Sequence, residues 1–209
     1  MNITIVGIGY VGLVSGSFFA EMIKYATNSM LATRISFMNN IANFCEFVGA
    51  VVNMVRKGFG SDTHIGAKFL YSDCGYDGSC FPKGMKALIK TVEKNGYNIG
   101  VLRAIEDVNE YQKMLLFHKL AKCFGVEVNL KGKIIAMWGL AFKSETDDMY
   151  EALLDTNALL LVTEWKQFRM PSFGVMIKSM KNTFIIDGRN IYDAREFAKV
   201  GFECSAIGG

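Results

Sequence analysis

The sequence predicts an α/β protein in three parts: one βα unit at the start, a long helical middle, and a small parallel sheet toward the end. Three observations carry this reading. Residues 2–6 form a short apolar run ahead of a glycine-rich turn and a helical stretch, residues 22–48 contain neither Gly nor Pro, and the last third holds three short apolar runs bounded by turn residues. With 209 residues, 51% of them hydrophobic, and only two prolines, the chain can bury a core and falls outside the disordered class.

Charge and cysteine usage exclude several functions. The 23 basic and 20 acidic residues are well mixed, give a net charge of +3 and form no long basic run, so nothing in them calls for nucleic acid as a partner. Five cysteines without C-x-x-C spacing, beside two histidines, argue against a zinc site or a disulfide framework and favour the reducing cytoplasm. Residues 3–20 carry no charge and are long enough to suggest a membrane span. Four glycines (Gly7, Gly9, Gly12, Gly16) and the lack of a preceding basic flank make that stretch read as soluble, with no membrane partner.

Taken in order, residues 2–6 read as a buried strand, and Gly7-Ile8-Gly9-Tyr10-Val11-Gly12 follows with the G-x-G-x-x-G spacing, ahead of a helix to Glu21. In a dinucleotide-binding unit the first glycine permits the tight turn, the second lets backbone approach a pyrophosphate, and the third lets helix pack on strand. Any tight strand-to-helix turn could carry the same glycines. Such a unit continues to a second strand ending in an acidic ribose ligand, but no Asp or Glu lies between Glu21 and Glu46. The fold expected is therefore a truncated Rossmann-like βα unit joined to another helix.

That helix spans residues 22–48, and its apolar arc is wider than one packing surface needs: Ile23, Ala26, Met30, Phe37, Ile41, Phe44 and Val48 form one stripe, and Leu31, Ile35, Met38, Ala42 and Cys45 a second. A helix buried on two sides suits the spine of a homodimer. Lys24 and Asn28, four apart, share a face, as either a solvated edge or a site. Residues 58–66 read as a loop bearing His64.

The turn Gly75-Tyr76-Asp77-Gly78-Ser79-Cys80-Phe81-Pro82-Lys83 presents one thiol just before a proline that can open a helix. Glycines admit a close ligand, while a helix N-terminus with Lys83 and Lys86 would favour the thiolate; a buried structural cysteine is the competing reading. Helices are expected over 82–94 and 100–124, and buried parallel strands over 133–138, 158–162 and 183–186.

Together these segments resemble the UDP-glucose 6-dehydrogenases, within the UDP-glucose/GDP-mannose dehydrogenase family. The resemblance rests on residues 1–21 as an opening Rossmann strand and helix, on residues 21–29 with Ala32-Thr33-Arg34-Ile35-Ser36-Phe37 as the central helix, and on residues 58–83. It continues through Trp138-Gly139-Leu140-Ala141-Phe142-Lys143, Thr146-Asp147-Asp148, residues 161–169 and Ile186-Asp187-Gly188-Arg189-Asn190. In the family most of the cofactor domain separates the segments matching Glu21 and Met22. Here they are fused, and a second shortening falls near Asp148-Met149-Tyr150.

The resemblance implies three units: residues 1–21 as the remnant of an NAD-binding Rossmann domain, 22–124 as a central helical dimerisation and cysteine region, and 125–209 as a shortened UDP-binding domain. It implies NAD-dependent oxidation of UDP-glucose to UDP-glucuronate in two hydride transfers. A cysteine adds to the intermediate aldehyde, the resulting thiohemiacetal gives the second hydride, and water then hydrolyses the thioester. Cys80 would be that nucleophile, and Lys24 and Asn28 the pair that stabilises the oxyanion and orders water. Cofactor contacts fall on Gly7, Gly9, Tyr10, Val11, Gly12 and Lys83, and substrate contacts on Phe69, Leu70, Tyr71, Gly75, Lys143 and Arg189. Two departures stand out: Gly84 replaces an Asp, and His64 an Arg that reaches the neighbouring subunit's substrate. Two readings follow, a UDP-glucose dehydrogenase with weakened or lost NAD binding, and a non-catalytic remnant serving as a dimerisation or nucleotide-sugar-binding module.

Overall fold

The computed structural model describes residues 10–76, 81–125, 129–140 and 149–208. Among the sequence-derived candidates, the 2–6 strand, Gly7, Gly9, Cys80 and Lys143 lie outside these residues.

The helical part consists of α1 (Tyr10–Val48), α2 (Val52–Ser61), α3 (Phe81–Lys94) and α4 (Gly100–Cys123). The two helical stretches expected on either side of residues 21–22 form one uninterrupted helix of 39 residues, roughly 58 Å long at 1.5 Å per residue. Past Gly16 no Gly or Pro interrupts it before Gly49, where a left-handed φ of 72° ends the run. The expected loop over 58–66 is corrected at its start, because α2 extends through Gly58 and Gly60 to Ser61. Val52, Val55 and Phe59 on α2 pack into the core, and that burial outweighs the helix cost of two glycines.

The sheet holds β1 (Ile135–Trp138), β2 (Ala158–Leu161), β3 (Phe184–Asp187) and β4 (Glu203–Ala206) in the order β1-β2-β3-β4. All neighbours are parallel, with Ile135 opposite Ala158, Ala158 opposite Phe184, and Phe184 opposite Glu203. Two short helices, α5 (Phe173–Ser179) and α6 (Ala194–Lys199), lie in the crossovers. The three apolar runs read from the sequence are β1 to β3. β4, whose sequence is Glu-Cys-Ser-Ala, has little intrinsic strand preference and went unread.

Side-chain alternation divides the core between the faces of this sheet. Leu159, Leu161 and Ile185 point to one side, joining Leu153, Phe168, Met176 and Phe197. Ala158, Leu160 and Ile186 point to the other and meet Met38, Ala42 and Cys45 of α1 with Leu115, Leu116 and Leu120 of α4. A third cluster, with Ala32, Tyr76, Met85, Leu88, Leu102 and Ile105, ties α1, α3 and α4 together. Among the described residues no helix is long and apolar enough to cross a membrane.

Candidate functional site

The site is organised around the segment from Phe69 to Tyr76, which runs between the helical region and the ends of the sheet strands. Leu70 anchors it in the core at 3% exposure, while Phe69 and Tyr71 on either side stay exposed. Arg56 of α2 lies over the Tyr71 ring, 4.9 Å from its centroid.

Buried amides then fix the backbone of residues 73–76. The Asp73 N–H donates to Asn39 Oδ1 at 2.7 Å, and the Asp73 carbonyl accepts from Gln112 Nε2 at 2.7 Å. The Tyr76 N–H donates to Asn109 Oδ1 at 2.8 Å. Asn39, Asn109 and Gln112 are fully buried, where an unmade hydrogen bond is costly and a made one confers specificity. Gly75 has a φ of 111°, and a Cβ there would stand 2.9 Å from Asn109 Oδ1, so this candidate substrate residue has a packing reason to be glycine. The Tyr76 hydroxyl donates to Glu106 at 2.6 Å, and Lys86 of α3 pairs with the same carboxylate at 3.1 Å. Burial, reinforced by Glu106, raises the Tyr76 phenol well above its usual range.

From the sheet side, the loop after β3 reaches the same segment. Asp187 is fully buried, and its carboxylate accepts from the N–H groups of Arg189 at 2.9 Å and Tyr192 at 2.8 Å. Burial raises its pKa, and these amide donors oppose the rise. So held, the loop projects Arg189 into an ion pair with Asp73 and a second with Glu164 at 3.3 Å, and Asn190 donates to Ser72 Oγ at 2.8 Å. Glu164 follows β2 and Arg189 follows β3, so the contact lies at the carboxyl ends of parallel strands, where ligand crevices of such sheets form. Cys74 Sγ donates to Asp73 Oδ1 at 3.2 Å, and burial followed by the Asp73 charge pushes its thiol up to about 12.

On α1, Lys24 is exposed and Asn28 half-buried. The first turn of α3 packs on this face: a Cβ at Gly84 would lie 3.3 Å from Tyr25 Cδ1 and 3.8 Å from Asn28 Nδ2. Lys83, beside it, is exposed. Tyr10, Val11 and Gly12 lie in the first turn of α1. His64 stands clear, its side chain 95% exposed, with Nδ1 3.1 Å from Asp62 Oδ1. Sequence reasoning missed Asp73 and Glu164 as partners of Arg189, and missed the amides altogether. Asn39 and Asn109 sit among apolar helical positions, which was the available signal.

Two halves of one family match this arrangement. Residues 19–111 match the central domain of the UDP-glucose/GDP-mannose dehydrogenase family, and residues 147–194 match its UDP binding domain. The chain belongs to the UDP-glucose/GDP-mannose dehydrogenase family. Among its relatives, UDP-glucose 6-dehydrogenase of Pseudomonas aeruginosa is 38% identical over 94% of this chain and 54% of its own length. The UDP-glucose 6-dehydrogenase of Rhizobium meliloti is 35% identical over 90% of this chain and 53% of its own. The chain thus spans about half the length of the curated relatives it matches. In fold it is similar to UDP-D-ManNAc dehydrogenase from Pyrococcus horikoshii, with TM-score 0.76, 21% identity, and coverage of 91% of this chain and 52% of the other. A UDP-glucose dehydrogenase from Pyrobaculum islandicum gives TM-score 0.74 at 23% identity, covering 90% and 50%.

Proposed function

We propose that this chain is the nucleotide-sugar half of an NAD-dependent UDP-glucose 6-dehydrogenase. It binds UDP-glucose or a related nucleotide sugar along Phe69, Leu70, Tyr71 and Gly75, with Lys143 and Arg189 as the cations, and carries Cys80 as nucleophile beside Lys24 and Asn28. The observation that carries this reading is the meeting of Arg189, from the part matching a UDP binding domain, with Asp73, seven residues before Cys80. A cation delivered there suits an anionic nucleotide, and α3, which begins just after Cys80, rests on Asn28. Cys80 would add to an aldehyde at the sugar's C6 to give a thiohemiacetal, Lys24 and Asn28 would stabilise its oxyanion, and, once the second hydride has passed to the family's NAD, water would hydrolyse the thioester.

NAD accepts the hydride in this family's reaction, and the described residues do not build a site for it. α1 runs without interruption from Tyr10 to Val48, through the position where a second strand with its ribose carboxylate would come. NAD binding through Gly7, Gly9, Tyr10, Val11, Gly12 and Lys83 is weak or lost on this reading. The same observation favours a second reading, a nucleotide-sugar-binding module with little turnover. An alignment of 245 residues with the Pseudomonas relative exceeds the 209-residue chain itself, which supports an internal shortening.

The units proposed are residues 1–21 as the cofactor-domain remnant, 22–124 as the helical region and 125–209 as the UDP-binding part, in a cytoplasmic protein. A homodimer through the 22–48 helix is supported by Ile23, Met30, Phe37 and Phe44. All four are exposed, and their seven-residue spacing puts them on one face of α1. Titration calorimetry with UDP-glucose tests the proposal. Saturable binding that is lost in Arg189→Ala is expected, and no saturable binding would overturn it.

A further inference from the structure

The turn between α2 and Phe69 is exposed over residues 61–65 and 67–69, yet one side chain of α1 holds it at three points. Arg34 donates from Nε to the Lys68 carbonyl at 2.9 Å, from Nη1 to the Ile65 carbonyl at 3.0 Å, and from Nη2 to the Gly66 carbonyl at 2.7 Å. All three nitrogens bond to main-chain carbonyls, so the contact reads backbone shape and not the identity of the loop side chains. The planar guanidinium can satisfy three carbonyls at once, whereas an ammonium offers a single charged point.

What lies immediately beyond this clamp is strained. Phe69 has a φ of 59°, a left-handed conformation that a bulky residue rarely adopts and that persists only when its surroundings impose it. Arg34 fixes the chain on one side, through Lys68. On the other side Leu70 is sunk in the core at 3% exposure. Between these anchors the chain turns so that Phe69 and Tyr71 both face outward. The clamp is as rigid as α1 itself, because the flanking Ala32, Ser36 and Met38 are buried.

We propose that Arg34 is a positioning residue for nucleotide-sugar binding: by holding the carbonyls of Ile65, Gly66 and Lys68 it fixes the left-handed Phe69 and the backbone of residues 69–71. This rests on the assignment of Phe69, Leu70 and Tyr71 to the nucleotide-sugar site made above. Arg34 touches no ligand in this role and acts through the backbone it holds.

The test compares the full chain with Arg34→Lys and Arg34→Ala, using amide hydrogen exchange, calorimetry with UDP, and thermal unfolding. Exchange over residues 65–69 is expected to rise about tenfold or more in both variants while α4 keeps its rates. UDP affinity should fall about tenfold, and Lys should fail to rescue it. Unchanged exchange over residues 65–69 overturns the clamp, and faster exchange with unaltered UDP affinity overturns its role in binding. Should Arg34→Ala fail to fold, Arg34→Lys keeps the charge and the aliphatic stem and decides both points. A wild-type chain that does not bind UDP overturns the nucleotide-sugar reading together with the binding half of this proposal, and exchange still decides the clamp.

Discussion

Gly84 on α3 packs directly against Asn28 on α1: a Cβ at Gly84 would stand 3.8 Å from the Asn28 amide nitrogen and 3.3 Å from Tyr25 Cδ1. The helix bearing Lys83 therefore meets the α1 face that carries the proposed oxyanion pair, at a residue with no side chain.

Gly84→Asp puts a carboxylate into that contact. Its backbone is not left-handed, and replacing a helical glycine while adding negative charge to a first turn favours the variant by about 0.5–1 kcal/mol, provided the carboxylate, at a position that is buried, accepts a hydrogen bond there. The Tyr25 ring has only to shift by a few tenths of an ångström. Thermal unfolding should show a higher Tm. A Tm that falls by several degrees would mean that Tyr25 cannot yield or that the buried carboxylate finds no donor.

The Arg189 ion pairs predict the effect of Arg189→Leu. Asp73 and Glu164 lose their shared cation, and Asp73, with a side chain only 15% exposed, becomes an uncompensated charge costing about 2 kcal/mol. Urea unfolding checks the magnitude. Adding Asp73→Asn should recover much of the loss, since no charge is then stranded.

Glycine is required where the strand ends crowd together. A Cβ at Gly139, whose φ is 113°, would fall 2.7 Å from Thr163 Cβ, and one at Gly188 would fall 2.9 Å from Leu116 Cδ1 and 3.0 Å from the Leu161 carbonyl oxygen. Gly139→Ala and Gly188→Ala should each cost about 1–3 kcal/mol, read by denaturant midpoint. Gly174→Ala, with open space around it, is the control and should be near neutral.

Thiol chemistry should be selective. Burial, with Asp73 at Cys74 and Asp187 at Cys204, pushes both thiols up to about 12, so neither ionises near neutral pH. A thiol pKa raised in the folded state adds stability that is fully present below pH 9 and is lost as pH climbs toward 12. Iodoacetamide at pH 7–8 should therefore spare Cys74 and Cys204 in the folded chain and label both after unfolding, as peptide mass spectrometry would show. Early labelling of Cys74 would contradict the burial described here.

Much of this architecture was legible in the sequence. The 22–48 helix followed from a long run free of Gly and Pro, and β1 to β3 from short apolar runs. The loop expected at residue 58 failed because burial of Val52 and Phe59 outweighed two helix-weakening glycines. β4 was missed because its place is set by pairing with β3 and not by its own residues. Local chemistry pointed to Arg189 only through the family resemblance, and its carboxylate partners, 116 residues away at Asp73, were invisible. Long-range pairing of this kind leaves no periodic trace in sequence.

The central claim is that the sugar half of the site persists while the dinucleotide half does not. Parallel calorimetric titrations of the full chain with UDP-glucose and with NAD test it most directly. Saturable UDP-glucose binding with no saturable NAD binding at micromolar concentrations is predicted. Tight NAD binding, or NAD binding without UDP-glucose binding, would contradict it.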